Sequence, residues 1–333
     1  MSQVTDPDSP DEFEYSGWLS FYLYKTEIKG ELENITSGIN LEEKLKQRLP
    51  KYEQGTPSDP GDGFRVTNTR ELLRQAGLLD EYPFLDETVH VKYIQEEYQE
   101  RLAYIEEDDD FRETSTLEIS TSDLFWMFPK FLFTRASKQV SDNIRTRMRS
   151  TLVNSLRTEK IEFNRDFFIW LIYNNYSGEE TDSLINIQQL QSIELVGQPD
   201  TFGSSSKFSN AESGSAVALL QLLEGNSPQN IEAMFNYCDR KIVVNVSHDR
   251  IQILTSKELP EKLSDLERMA LSVSFVSEFI SLYEMWTNLP NEEKYPPTSS
   301  FKEIYKKGID EGYETEGISS QLIERFEKLR GDK

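Results

Sequence analysis

Large apolar residues alternate with polar ones at the start of Trp18–Lys29 (WLSFYLYKTEIK), a period of two that predicts a strand. Helical spacing takes over at Leu41–Leu49, which predicts a short helix. Gln54–Gly63 (QGTPSDPGDG) is loop chemistry. Asn68 stands three residues before Glu71, a capping box for a helix over Thr69–Gln75 that Gly77 would end. Val91, Ile94, Tyr98, Leu102 and Ile105 fall at helical spacing and predict a helix over Val89–Ile105. The acids Glu106–Asp110 would stop it, because negative charge opposes the dipole at a helix C-terminus. Leu117–Ser120 predicts a short strand. Asp123–Phe133 is strongly apolar but broken by Pro129. Helices are predicted over Ala136–Leu156 and Phe163–Tyr173.

Further on, Gly178–Asp182 marks a turn, Ser183–Ile187 and Ser192–Val196 predict two strands, and Asp200–Ser213 reads as a polar loop. Ala216–Leu223, ended by Gly225, and Pro228–Tyr237 predict two short helices. Lys241–Val246 and Arg250–Thr255 predict a hairpin turned at Ser247-His248-Asp249. Leu266–Trp286 predicts a long helix that is apolar on two faces. Val273, Val276, Ile280 and Tyr283 line one, and Phe275, Phe279, Leu282 and Trp286 the other. Such a helix is central in a core or shared with a partner, so the second set are candidate contacts of a homodimer. Two charged helices are expected after Pro296-Pro297. The expected fold class is α+β, mostly helical with small antiparallel sheets and hairpins, since no βαβ alternation is present. The expected divisions are a disordered acidic tail at 1–12, an α+β region at 13–128, a second at 129–290 holding a basic and a long apolar helix, and charged helices at 291–333.

Composition changes this picture in two ways. Hydrophobic residues are only 37% of the 333, yet 11% of the chain is aromatic, so the core must be built on large side chains. The net charge of −23 should repel nucleic acid and anionic membranes at long range. The acids are spread along the chain, which favours a salt-adapted, halophile-like surface over an acidic tail, although lysine is not scarce. Cys238 is the single cysteine, so no intrachain disulfide can form, as suits a reducing cytoplasm. Met1–Asp11 does not read as a signal peptide, and no apolar run approaches membrane-spanning length.

Candidate chemistry is sparse. His90, expected on an exposed helix start, and His248, expected in the hairpin turn, are the two histidines. With one cysteine they make a zinc or iron site improbable, so no metal or cofactor is expected. Glu27-Ile28-Lys29 resembles the end of a metal-dependent nuclease strand, in which acids share Mg²⁺ and the lysine stabilises developing charge. Three-residue matches arise by chance in a chain with 59 acids. Charge distribution is more informative. Residues 1–129 hold 12 bases against 29 acids and residues 166–333 hold 15 against 27, whereas residues 130–165 hold 9 bases against 3 acids. Within that basic segment Lys138, Arg145 and Arg149 share a sector of roughly 40° at about 100° per residue. Arg135 and Arg157 flank them, and Arg147 belongs to the same basic segment. The functional reading is a surface that tracks phosphates; the bland one is a solvated face paired with neighbouring acids.

Phe163–Tyr173 with its Trp170-Leu171 pair, Ser213–Gly225, Lys241–Thr255 and Leu266–Trp286 resemble, in order and spacing, the C-terminal half of the recombination-associated protein RdgC family. The resemblance covers residues 163–289. It implies a non-catalytic dimeric ring around double-stranded DNA, with basic side chains lining it. Only Arg135, Lys138, Arg145, Arg147, Arg149 and Arg157 could serve as that lining here, and a charge of −23 opposes it outside high salt. Two other readings stand beside it. One is an acidic interaction subunit, of a multi-protein or defence-associated assembly, steered to a basic protein partner. The other is a nuclease using Glu27 and Lys29.

Overall fold

The computed structural model describes residues 17–105, 110–178, 185–196, 205–209, 220, 222–255, 263–310, 312 and 317–331. The acidic tail expected at 1–12 lies outside them, as do residues 106–109, 179–184, 200–204, 210–219 and 221 of the segments discussed above. Contacts divide the chain into two compact units. The first takes residues 21–161 and 265–270; the second takes residues 15–20, 162–264 and 271–333.

Unit 1 is built on an antiparallel sheet. Its strands are β1 (Leu19–Ile28), β2 (Asp62–Val66), β3 (Thr88–Ile105), β4 (Asp110–Met127), β5 (Phe131–Arg135) and β6 (Leu156–Lys160). The order is β2-β3-β4-β5-β1, and β6 also pairs with β1, setting Glu27 opposite Arg157. The helices of this unit are α1 (Gly38–Arg48), α2 (Thr69–Gln75), α3 (Leu78–Glu81) and α4 (Lys138–Thr151). The hydroxyls of Ser37 and Ser137 accept backbone N–H groups at the starts of α1 and α4. Leu41 and Leu45 of α1, Ile144 and Met148 of α4, and Tyr24, Val91, Leu124 and Trp126 of the sheet form one buried cluster. The Asn68 capping box is not formed, although α2 begins and ends where expected and Gly77 follows at φ 71°.

A mostly helical fold with small sheets is not what the chain adopts. Strands cover as much of the described chain as helices do, and most lie in large antiparallel sheets. The largest single correction is Val89–Ile105, which is strand β3 rather than a helix. Val89, Val91 and Tyr93 are buried on one face of β3, and His90, Ile94 and Glu96 on the other. The first half of β3, to Glu96, is covered on both faces and so loses the clean alternation of a half-exposed strand. Its apolar positions then match a helical stripe by accident. Leu117–Ser120 is part of β4, and the Pro129 break is the turn between β4 and β5.

β3 and β4 pair in register from Thr88↔Met127 to Ile105↔Asp110. β2 accompanies β3 only as far as Gln95, and β5 accompanies β4 only from Asp123. The two-stranded ladder therefore runs on beyond its neighbours. At its base the loop 51–61 is pinned by Glu96, which is 3% exposed. Its carboxylate accepts hydrogen bonds from Tyr52 Oη (2.6 Å) and from the N–H groups of Gly55 (3.0 Å) and Gly61 (2.8 Å). A Cβ on Gly55 would sit 2.2 Å from the Gly61 nitrogen, so both glycines are needed for this close approach.

Unit 2 carries the second antiparallel run of strands, β7 (Asn186–Val196), β8 (Ser205–Ser209), β9 (Ser227–Tyr237), β10 (Arg240–Ser247) and β11 (Arg250–Thr255), in the order β11-β10-β9-β7-β8. The β10–β11 hairpin forms as expected, with His248 in its turn. The expected helix Pro228–Tyr237 is instead β9, with Ile231, Ala233, Phe235 and Tyr237 buried at period two. The two strands expected before residue 197 are one strand, β7, with register irregularities, and part of the expected polar loop is β8. The helices are α5 (Arg165–Ser177), α6 (Asp265–Asn288), α7 (Asn291–Lys294), α8 (Thr298–Asp310) and α9 (Ser320–Arg330). Asn164 caps α5 through its side chain, and Gly178 ends it at φ 69°. Phe279 of α6 meets Phe163, Phe167 and Phe235 edge-on. Among the described residues no helix is long and apolar enough to cross a membrane.

Candidate functional site: a cationic cleft

The arginines of the basic segment differ in what engages them. Arg135 Nε donates to the buried carboxylate of Asp123 at 2.6 Å. Arg145 pairs with Asp142 at 3.4 Å and lies over the Tyr24 ring at 5.4 Å. Arg147 Nη1 donates to Asp62 at 2.8 Å and sits 6.0 Å from the Tyr93 centroid. These three arginines cross-brace α4 and β5 to the sheet, which is the bland reading of the basic stripe. Lys138 is exposed in the first turn of α4.

Arg149 and Arg157 differ. The last turn of α4, the turn after it, the start of β6 and the residue following β1 enclose an open cleft of about 660 Å³. Thr146, Arg149, Ser150, Val153, Asn154, Leu156, Arg157 and Lys29 line it. Three cations thus converge on one cavity. Glu27 is the acid nearest to two of them, 3.0 Å from Lys29 and 3.9 Å from Arg157, the latter with a 70% exposed side chain. Arg149 has no ion-pair or hydrogen-bond partner among the described residues. Its place in the last turn also complements the helix dipole, which contributes to α4 whatever else it does.

The backbone fixes this arrangement. Leu152 N–H closes on the Met148 carbonyl, and Asn154 adopts φ 64°, a left-handed conformation that asparagine tolerates better than most residues. Lys29 N–H donates to the Ser155 carbonyl at 2.9 Å, which brings the end of β1 against the turn. Ser150, Thr146 and Asn154 add neutral polar groups to the wall. Such a lining suits an anion, since Arg and Lys supply donors and charge with one competing carboxylate. Glu27 is held below the ordinary carboxylate range, first by its hydrogen bond from Lys29 and then by the charges of Lys29 and Arg157.

The other candidates fall elsewhere. His90 is not on an exposed helix start; it is 3% exposed on β3. Its Nε2 lies 3.0 Å from Asp123 Oδ1, its Nδ1 lies 2.7 Å and 2.9 Å from the hydroxyls of Thr69 and Thr67, and its ring stacks on Phe125. Burial alone would raise the Asp123 carboxyl, but the hydrogen bond and charge of His90 and the charge of Arg135 outweigh it and bring it to about 2. Phe275, Phe279, Leu282 and Trp286, the dimer-contact candidates, are all buried in the single chain, so a partner would not meet those side chains. Among the described residues no three His, Cys, Asp or Glu side chains gather, and Glu27, which a nuclease would need for a metal, is committed to cations. Lys29 is the cleft residue that the basic segment did not contain. Only the β1–β6 pairing brings it beside Arg157.

No family model matches the sequence, and none of the curated proteins compared with it is similar to it.

Proposed function

We propose that the protein is a non-catalytic, sequence-independent DNA-binding protein that holds the duplex backbone through the cleft of Lys29, Arg149 and Arg157. The observation that carries this reading is the convergence of three cations on one open cavity, one of them without an ionic partner among the described residues. The same class of activity is what the resemblance of residues 163–289 to the RdgC family implies. Arginine and lysine in a shared cleft supply the charge and donors that phosphate oxygens take, so phosphates are the expected contacts.

The magnitude is modest. Three phosphate contacts give a slope of log K against log salt of about −2.7, or about a 40-fold loss between 50 and 200 mM salt. The surrounding charge of −23 works against the cleft wherever the Debye length is long. Contact inside the cleft is short-range, whereas the dispersed acids act over distances that salt of about 0.1 M screens at roughly 10 Å. Detectable binding is therefore expected near 0.1 M rather than at very low ionic strength. Fluorescence anisotropy with a labelled 20-base-pair duplex tests this. Arg149→Glu with Arg157→Glu should abolish binding, whereas Arg147→Gln, which removes a bracing arginine outside the cleft, should retain it. Equal affinity of the double variant and the parent would remove the cleft from the account.

A further inference from the structure

The β3–β4 ladder runs on for roughly 30 Å past Gln95 at about 3.3 Å per residue. Among the described residues no strand pairs with the outer edge of β4 between Thr114 and Ser122. That edge reads TSTLEISTS, rich in β-formers, with one charge, no proline and no lysine. Soluble proteins usually guard an open edge with lysine, proline or a bulge. The faces are uncovered as well, with Leu102 70% and Ile119 39% exposed. A two-stranded ribbon by itself is only marginally stable in water. An edge so long and unguarded has the form of a strand that is completed by another.

Charge decides what completes it. Among the described side chains of residues 97–118, four exposed acids, Glu97, Glu100, Glu113 and Glu118, stand against one base, Arg101. A second copy of this chain would bring like charges together across the new pair, which is unfavourable. A basic segment would be attracted and steered. We propose that the edge Thr114–Ser122 of β4 takes an extended, lysine- or arginine-bearing segment of a partner protein as an added strand. Main-chain hydrogen bonds to the edge supply affinity, and the flanking acids select basic side chains. The edge shares no residue with the cationic cleft, and neither reading depends on the other.

The test uses the full-length chain and a fluorescent nine-residue peptide that alternates lysine with valine or threonine, in 0.1 M salt. A second peptide has the same sequence with alternate amides N-methylated, which keeps its charge and removes its strand-pairing donors. The unmodified peptide should bind, and N-methylation should weaken it at least tenfold. Glu118→Lys, an exposed change that leaves the backbone able to pair, should weaken it severalfold. Equal binding of both peptides would mean charge attraction alone and would overturn the proposal. So would no binding of either, or sedimentation showing that the chain dimerises and that Thr116→Pro returns it to a monomer.

Discussion

Replacing Asp123 by asparagine removes one charge from a buried set and leaves its shape. Asp123 is 2% exposed and is held by His90 at 3.0 Å and Arg135 at 2.6 Å. Breaking such a pair by removing one partner costs about 3–5 kcal/mol, because the remaining charge is left uncompensated. The pH dependence separates this from a simple packing defect. The carboxyl titrates at about 2 in the folded chain, below its ordinary value of 3.8. A depressed folded pKa contributes stability that is fully present above the unfolded value and is lost as pH falls through the folded one. That depression corresponds to about 2 kcal/mol. The gap between parent and Asp123→Asn should thus be widest above pH 5 and shrink by about 2 kcal/mol toward pH 2. Urea unfolding followed by circular dichroism, for both proteins across that range, measures it. Every other carboxyl is common to the two and drops out of the difference. A gap that stays constant from pH 6 to pH 2 would refute the assignment of a charged, paired Asp123.

Three further outcomes are expected. Glu96→Gln should release the loop it pins, and the amides of Gly55 and Gly61 should exchange about tenfold faster, equivalent to about 1.4 kcal/mol, as read by hydrogen exchange. Phe279→Ala should destabilise unit 2 by about 3–5 kcal/mol in chemical denaturation, since that ring is fully buried among Phe163, Phe167 and Phe235. The melting temperature should rise from low salt to about 1 M, where the Debye length falls to roughly 3 Å and the self-repulsion of 59 acids against 36 bases is screened; a scan over a salt series measures it.

Legibility in the sequence followed local periodicity and failed where pairing partners were distant. The β10–β11 hairpin could be read because Ile242, Val244, Val246, Ile251 and Ile253 alternate and two residues separate the strands. α6 could be read because its apolar residues run all round it. β3 could not, because residues from both its faces are buried, and Val91, Ile94 and Tyr98 then imitate a helix. β9 carried a period-two signal in Ile231, Ala233, Phe235 and Tyr237 that was open to recognition. The charge switch at residues 130–165 located Arg149 and Arg157. It could not show that Arg135, Arg145 and Arg147 are committed to Asp123, Asp142 and Asp62, because two of those acids lie well outside the segment. Lys29 was visible only as half of a nuclease-like pair, and the open edge of β4 depends on where β5 stops.

The most direct measurement of the central claim is the salt slope of DNA binding above 0.1 M for the parent, Arg149→Gln and Arg157→Gln. With the cleft as the contact, the parent slope is about −2.7, and each single substitution lowers its magnitude by about 0.9, the share of one phosphate. A slope that is unchanged in both variants, or no binding at any salt, would contradict it.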